Sequence, residues 1–302
     1  MADTKPTRII LWAVPRTTST ALAKCMSFVA GCQVIDEPYT AAYHIGPERV
    51  KLQPQLEQFV GPIMQSQFEQ MKAIPLEADL AYDHDVCTYE WVKGQLEADY
   101  PGHSVVFCKE MAYGLQGKYD MIPQGYRHVF LIRHPHKVFP SWRKMLAESA
   151  SRLTGNENFR MCDLPPFLLP SKYGYEEQYE LFQYIKANID PSPIVIDSDD
   201  LLSNPKSILS QYCQAVNIPF HESLLHWPDD EGVVKRWKAS RRFLLANLMQ
   251  KSDGFYATAL KSSAFTAPSA VPPITSLPDG IVPCVEASMP FYLKMHELRI
   301  KP

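Results

Sequence analysis

The hydrophobic positions of this chain gather into short runs, each closed by a polar or charged cluster. Ile9-Ile10-Leu11-Trp12-Ala13-Val14 lies between Arg8 and Pro15, the pattern of a strand buried on both faces. Four more runs repeat it. They are Val34-Ile35 before Asp36-Glu37-Pro38, Ser104 to Cys108 before Lys109-Glu110, Tyr126 to Ile132 before Arg133, and Pro193 to Ile196 before Asp197-Ser198-Asp199-Asp200. Helical spacing separates them: Ala21 to Met26, residues 52–72 with Leu56, Phe59, Val60 and Ile63 on one face, residues 88–98, and Pro205 to about Val216. A further helix, rich in Met and aromatic residues, is expected to dock near 285–296. Strand, polar turn and helix in repetition predict an α/β protein with a mainly parallel sheet flanked by helices. Ligands of such sheets bind beyond the carboxyl ends of the strands. Asp36, Glu37, Lys109, Glu110 and Arg133 are therefore expected on one rim.

Two stretches break the pattern. Residues 150–175 mix Gly, Asn and Pro with aromatics and read as a long loop. Around 266–290 lie Pro268, Pro272, Pro273, Pro278, Pro283 and Pro290, which predict an extended strap over the surface. With no internal repeat, a single domain over 1–302 is the simplest organisation.

Composition narrows the chemistry. Among 302 residues there are 26 prolines but 13 glycines, and no two glycines are two positions apart. The chain therefore has no G-x-G-x-x-G fingerprint, and it has no Gly-Lys-Ser/Thr run, so a Rossmann dehydrogenase and an ordinary P-loop NTPase are both disfavoured. A formal net charge of −3 without basic clusters argues against nucleic acid as a partner. No apolar run reaches the ~20 residues of a membrane span, and Met1 to Arg8 lacks the apolar core of a secretory leader. Seven scattered cysteines without a C-x-x-C read as free thiols, so a reducing, cytoplasmic setting is expected.

Directly after the first strand comes Pro15-Arg16-Thr17-Thr18-Ser19-Thr20. A strand, a hydroxyl-rich turn and a helix aim backbone N–H groups, hydroxyls and one cation at an anion. Taken alone, an ordinary capped helix start explains the same residues. Arg133, closing a strand, is followed eight residues later by Ser141, a pair able to grip a second phosphate. Singly, each is as well explained as a surface residue.

Together and in this order the two elements resemble the sulfotransferases that use 3′-phosphoadenosine 5′-phosphosulfate (PAPS). That family carries a first-strand loop of the type Pro-Lys/Arg-Ser-Gly-Thr/Ser-Thr and a strand-end Arg with a Ser eight residues on. Its third signature, an acidic element followed by a Pro and a helix, is matched by Val195 to Leu202, Asn204-Pro205 and Asn217-Ile218-Pro219-Phe220. The likeness spans roughly residues 8–220. Two departures stand out: Thr18 replaces the loop glycine, and Ser198 replaces a tyrosine. The variant resembles a more distant branch, found alone or attached to aminotransferase-like proteins, rather than the cytosolic phenol and steroid enzymes.

The resemblance implies a P-loop-like sulfotransferase fold and sulfuryl transfer from PAPS to a hydroxyl or amine of a small-molecule acceptor. It leaves 3′,5′-adenosine bisphosphate as product and calls for no metal. Pro15, Arg16, Thr17, Thr18, Ser19 and Thr20 would hold the 5′ end, Arg133 and Ser141 the 3′-phosphate, and Lys261-Ser262-Ser263 would add to the same pocket. Arg16 would stabilise charge on the leaving phosphate. Glu37 is the first candidate for the general base and Glu110 the second, with Lys109 steadying the sulfuryl group. The acceptor is expected among the helices of 40–100 and the loop of 150–175. The main alternative is a sulfotransferase-fold nucleotide-binding protein without transfer activity, and a kinase or NTPase with a degenerate loop ranks below it. Asp83-His84-Asp85 lacks a matching ligand pair for a metal. His134 reads as a capped or solvated histidine, Trp12 as core, and Trp237 as a helix anchor or a nucleotide neighbour.

Overall fold

The computed structural model describes residues 5–52, 80–228, 231–244, 259 and 261–302, with scattered positions between 54 and 70. Most of the helix expected over 52–72 lies outside the described residues. Among the described residues seven parallel strands form one sheet: β1 (Thr7–Ala13), β2 (Cys32–Asp36), β3 (Ala81–Tyr82), β4 (Val105–Met111), β5 (Arg127–Ile132), β6 (Ile194–Asp197) and β7 (Lys238–Ser240). Their order is β3-β7-β2-β4-β1-β5-β6. The five strands expected from apolar runs are contiguous in the sheet, from β2 to the edge strand β6. β3 and β7, which extend the sheet beyond β2, are too short to leave a periodicity in the sequence.

The helices are α1 (Ser19–Met26), α2 (Pro38–Ile45), α3 (Tyr89–Glu97), α4 (Pro135–Thr154), α5 (Tyr175–Asn188), α6 (Ser198–Ser203), α7 (Pro205–Ala215) and α8 (Val282–Glu297). Pro38, Pro135, Pro205 and Pro283 sit in the first turns of α2, α4, α7 and α8. There the missing N–H costs nothing and the fixed φ favours a helix start. α4 runs through Thr154, so the expected loop begins only at Gly155, whose φ of 67 ends the helix. The strap is likewise shorter than the proline spacing suggests, because Pro283 and Pro290 both lie within α8.

β1 shows how the sheet holds the core. Ile10 and Trp12, with Val14 just beyond, pack into the apolar cluster on one face; Ile9, Leu11 and Ala13 pack into the cluster on the other. Burial on both faces is what a parallel sheet covered by helices requires. From β1 the chain crosses to β2, inserts β4 between them, and passes to β5 on the opposite side of β1. The direction of winding thus reverses at β1, and the loop after β1 opens where such sheets bind ligands. Among the described residues no helix is long and apolar enough to cross a membrane, and the cysteines are all free.

Candidate active site

The loop leaving β1 is built on two left-handed residues, Arg16 and Thr18, both at φ 69. Between them Thr17 is fully buried and donates its hydroxyl to Val14 O at 2.7 Å. Thr17 therefore shapes the turn from beneath and does not line the cavity above it. Ser198 Oγ lies 2.6 Å from Thr17 O and 2.9 Å from Ile132 O. A tyrosine at position 198 could not occupy that gap. Here the small hydroxyl ties the loop to the end of β5.

Thr18 is the N-cap of α1 without a side-chain cap bond, and no acid lies in the first turn. The uncapped N–H groups of that turn give the cavity an electropositive floor. The two remote motifs meet directly above it. Arg16 Nε donates to Ser141 Oγ at 2.9 Å, across 125 residues of sequence. Arg133 Nη1 donates to Arg16 O at 3.0 Å, while its Nε stands 3.8 Å from Asp199 Oδ1. Tyr175 fixes the Arg133 backbone by donating its hydroxyl to Arg133 O at 2.7 Å.

These groups border a cavity of about 380 Å³ lined by Pro15, Arg16, Thr18, Ser19, Thr20, Glu37, Arg133, Ser141 and Ser262, within the ~300–1,000 Å³ usual for ligand sites. Of the late turn, Ser262 reaches this wall, but Lys261 and Ser263 are not part of it. The Ser262 carbonyl accepts the buried Lys24 Nζ at 2.8 Å and Trp227 Nε1 at 2.8 Å, which pins that segment against α1. Met111, Tyr113, Met145, Leu202 and Phe265 also line the wall. Leu202 ends the acidic motif without having been expected at the cavity, and the other four lie outside any motif, where single apolar or aromatic residues leave no local signal. Tyr113 also borders a second cavity of about 420 Å³, with Tyr43, Tyr119, Pro166, Pro170 and Lys172. That second cavity joins α2 to the loop of 155–174.

The three acid–base candidates are placed very differently. Glu37 is the N-cap of α2, is left-handed at φ 49, and borders the main cavity. Lys109 Nζ pairs with its carboxylate and lies 3.3 Å from Asp36 Oδ1. Lys109 is completely buried and is not among the cavity-lining residues. It stands behind Glu37, which corrects the expectation that it would touch a sulfuryl group. Glu110 is corrected as well. Its carboxylate accepts the N–H groups of Tyr39, Thr40 (3.1 Å) and Met111 (2.7 Å) and the hydroxyl of Thr40. Burial pushes its carboxyl up to about 8, and it caps the start of α2 away from the cavity. Asp36 is also pushed up, to about 7, by burial, against the lowering influence of Lys109.

Left-handed non-glycine residues cost about 1–3 kcal/mol each and persist where surrounding structure over-determines them. Arg16, Thr18 and Glu37 are three such residues, and all three border this cavity. The other sequence candidates lie elsewhere. His134 caps α4, accepting the His136 N–H at 3.2 Å, and burial lowers its pKa to about 4. Trp12 is core, and Trp237 is buried with Nε1 on Ser27 Oγ at 2.7 Å. Asp83 pairs with Arg241 at 2.8 Å, and among the described residues no group of His, Cys, Asp and Glu is disposed to hold a metal.

Residues 186–298 match a family model described as a sulfotransferase domain, a segment running from the end of α5 through α8. The chain is 23% identical over 295 residues to branched-chain-amino-acid aminotransferase-like protein 1 of Arabidopsis thaliana, covering 95% of this chain and 41% of that protein. It thus spans about two fifths of that relative's length. Among solved structures, it is similar to the sulfotransferase domain of the Synechococcus PCC 7002 olefin synthase, at 14% identity and a TM-score of 0.43, covering 98% of this chain and 97% of that one. A sulfotransferase domain from the curacin biosynthetic pathway gives 15% identity and a TM-score of 0.46, covering 99% and 100%.

Proposed function

We propose that the whole chain is one PAPS-dependent sulfotransferase domain acting on a hydroxyl or amine of a small molecule, a reading supported by the match of residues 186–298 to a family model described as a sulfotransferase domain. One observation carries the reading. Arg16 and Ser141, from the two phosphate-gripping motifs, are hydrogen-bonded to each other on the wall of a single cavity, with Arg133 bound to the same loop.

The donor set fits a nucleotide with two separate anionic ends. At one end are the uncapped first turn of α1, Ser19, Thr20 and Arg16; at the other are Arg133 and Ser141. PAPS when bound supplies the activated sulfuryl group. Everything else falls to the chain. Arg16 neutralises the charge that gathers on the leaving 5′-phosphate, a role worth several kcal/mol in a dry site. Arg133 and Ser141 read the 3′-phosphate and so favour this nucleotide over ATP. Glu37 accepts the proton of the acceptor hydroxyl as the new S–O bond forms, while the old bridging S–O bond breaks and its electron pair leaves on the phosphate. At the position where strand β4 gives way to the wall, Met111 offers no proton acceptor, which leaves Glu37 as the carboxylate at hand. The second cavity, reached past Tyr113, suits the acceptor, with the Pro166 and Pro170 segment as its lid. A cytoplasmic setting agrees with the free cysteines, and nothing in the charge pattern invites nucleic acid.

Calorimetric titration with 3′,5′-adenosine bisphosphate, ADP and ATP, each with and without Mg²⁺, tests this. Metal-independent preference for the bisphosphate is expected. Mg²⁺-dependent binding of ATP in preference would overturn the reading. Labelled PAPS with a panel of phenols, alcohols and amines then separates a transferase from a binding protein.

A further inference from the structure

Behind the cavity wall stands a group of charges that the proposed chemistry does not yet use. Asp36, the last residue of β2, is buried, and among the described residues its carboxylate has no hydrogen-bond donor other than Lys109. Its one close partner is Lys109 Nζ, 3.3 Å from Oδ1. Lys109 is equally buried and pairs at the same time with Glu37, on the cavity side. The register of the sheet fixes this arrangement, since Asp36 is the partner of Lys109 across the β2–β4 ladder and the Glu37 N–H bonds Lys109 O at 2.8 Å. One buried cation thus serves two carboxylates, one in the cavity and one sealed behind it.

A structural ion pair would need only one acid. Burying a second, with its oxygens otherwise unsatisfied, costs free energy that a neutral residue would not. We propose that Asp36 is a positioning residue for the base: it shares Lys109 with Glu37, so that the lysine keeps an anionic partner while Glu37 carries the acceptor's proton. This rests on Glu37 being the base. The charged groups acting on Asp36 are Lys109 from β4 and Glu37 from the start of α2. Asp36 in turn bears on Cys108 and Tyr82, both pushed towards their neutral forms by burial. With both acids ionised, each repels the other's charge. When Glu37 takes a proton, that repulsion ends and Asp36 holds its own charge more firmly. Coupled sites of this kind exchange protonation through the shared partner, and the effect is reciprocal.

Carboxylate carbon NMR on protein labelled at Asp and Glu, saturated with 3′,5′-adenosine bisphosphate, reads this coupling without an acceptor. In the wild type Asp36 is expected to titrate near pH 7, and in Glu37→Gln at a pH lower by half a unit or more. An Asp36 titration that is the same in both proteins overturns the shared-cation arrangement. The resonance is assigned by its loss in Asp36→Asn or, should that variant not fold, by correlation to the Ile35 and Asp36 backbone. Turnover supplies the functional arm, with labelled PAPS and phenol, an alkanol and an arylamine as acceptor probes. Asp36→Asn is expected to move the acid limb of the pH profile to lower pH and to reduce the plateau severalfold, with KM for PAPS within twofold. An unmoved limb at an unchanged plateau overturns the positioning role. If Glu37→Gln keeps full turnover while Asp36 still shifts, Glu37 is not the base although the two acids share the lysine. Loss of turnover in Glu37→Gln with an unmoved limb in Asp36→Asn removes only the role of Asp36.

Discussion

Arg16 Nε donates to Ser141 Oγ at 2.9 Å, so the cation of the first loop rests on the hydroxyl of the second motif. Arg133 completes the junction through its bond to Arg16 O. A ligand gripping Ser141 and Arg133 therefore acts on the residues that hold Arg16.

Arg133→Ala removes both a charged donor to the nucleotide and the bond that braces the loop. Affinity for 3′,5′-adenosine bisphosphate is expected to fall by about 1.5–3 kcal/mol, the range for a hydrogen bond to a charged group. The loss for ADP should be smaller. Calorimetry on the folded variant checks it, and equal losses for the two nucleotides would remove the 3′-phosphate assignment.

Thr18 sits at φ 69 and ψ 8, a conformation that a β-branched residue adopts at a cost and glycine adopts freely. Thr18→Gly relieves about 1–2 kcal/mol of strain and gives back roughly 0.5–1 kcal/mol in chain entropy. A net gain of up to about 1.5 kcal/mol is expected in denaturant unfolding, with nucleotide binding kept. Thr18→Ala, which retains a Cβ, should show little of that gain.

Ser198→Ala deletes the hydroxyl between Thr17 O and Ile132 O. A buried carbonyl left without its donor costs about 1–3 kcal/mol. Urea unfolding should show that loss, together with faster amide exchange in residues 15–20. Stability and exchange both equal to wild type would mean that the hydroxyl does not brace the loop.

Glu37→Gln keeps the shape of the cavity wall and removes the proton acceptor. Turnover of PAPS should drop by 10²-fold or more, in line with the usual worth of general base catalysis, while bisphosphate affinity stays within twofold.

Asp36 gives stability a pH dependence of definite sign. Burial raises its carboxyl from 3.8 to about 7 in the folded chain, so between those values the native state binds the extra proton. Its contribution is full below pH 3.8 and is lost as pH rises through about 7. Chemical denaturation of wild type and Asp36→Asn across pH 4–8 should show the wild type losing stability relative to the variant. A constant difference across the range would contradict the shift.

The central strands were legible because a parallel strand buried on both faces must be apolar throughout, as Ile9 to Val14 and Tyr126 to Ile132 are. The loop of Pro15 to Thr20 was legible too, since anion binding at a helix start calls for hydroxyls and a cation in contiguous residues. What the sequence could not decide was which closing charges face the cavity. Lys109 and Glu110 are neighbours in one strand, and strand geometry sends successive side chains to opposite faces. Lys109 consequently goes to the shared ion pair behind Glu37, and Glu110 goes to the start of α2. The same limit applies to Tyr113, Met145 and Phe265, which meet only when β4, α4 and the segment after residue 261 come together. Local pattern thus determined the elements and the phosphate-binding loop. Packing between residues far apart in sequence decided that Arg16 meets Ser141, that Thr18 is held left-handed, and that one buried lysine serves two acids.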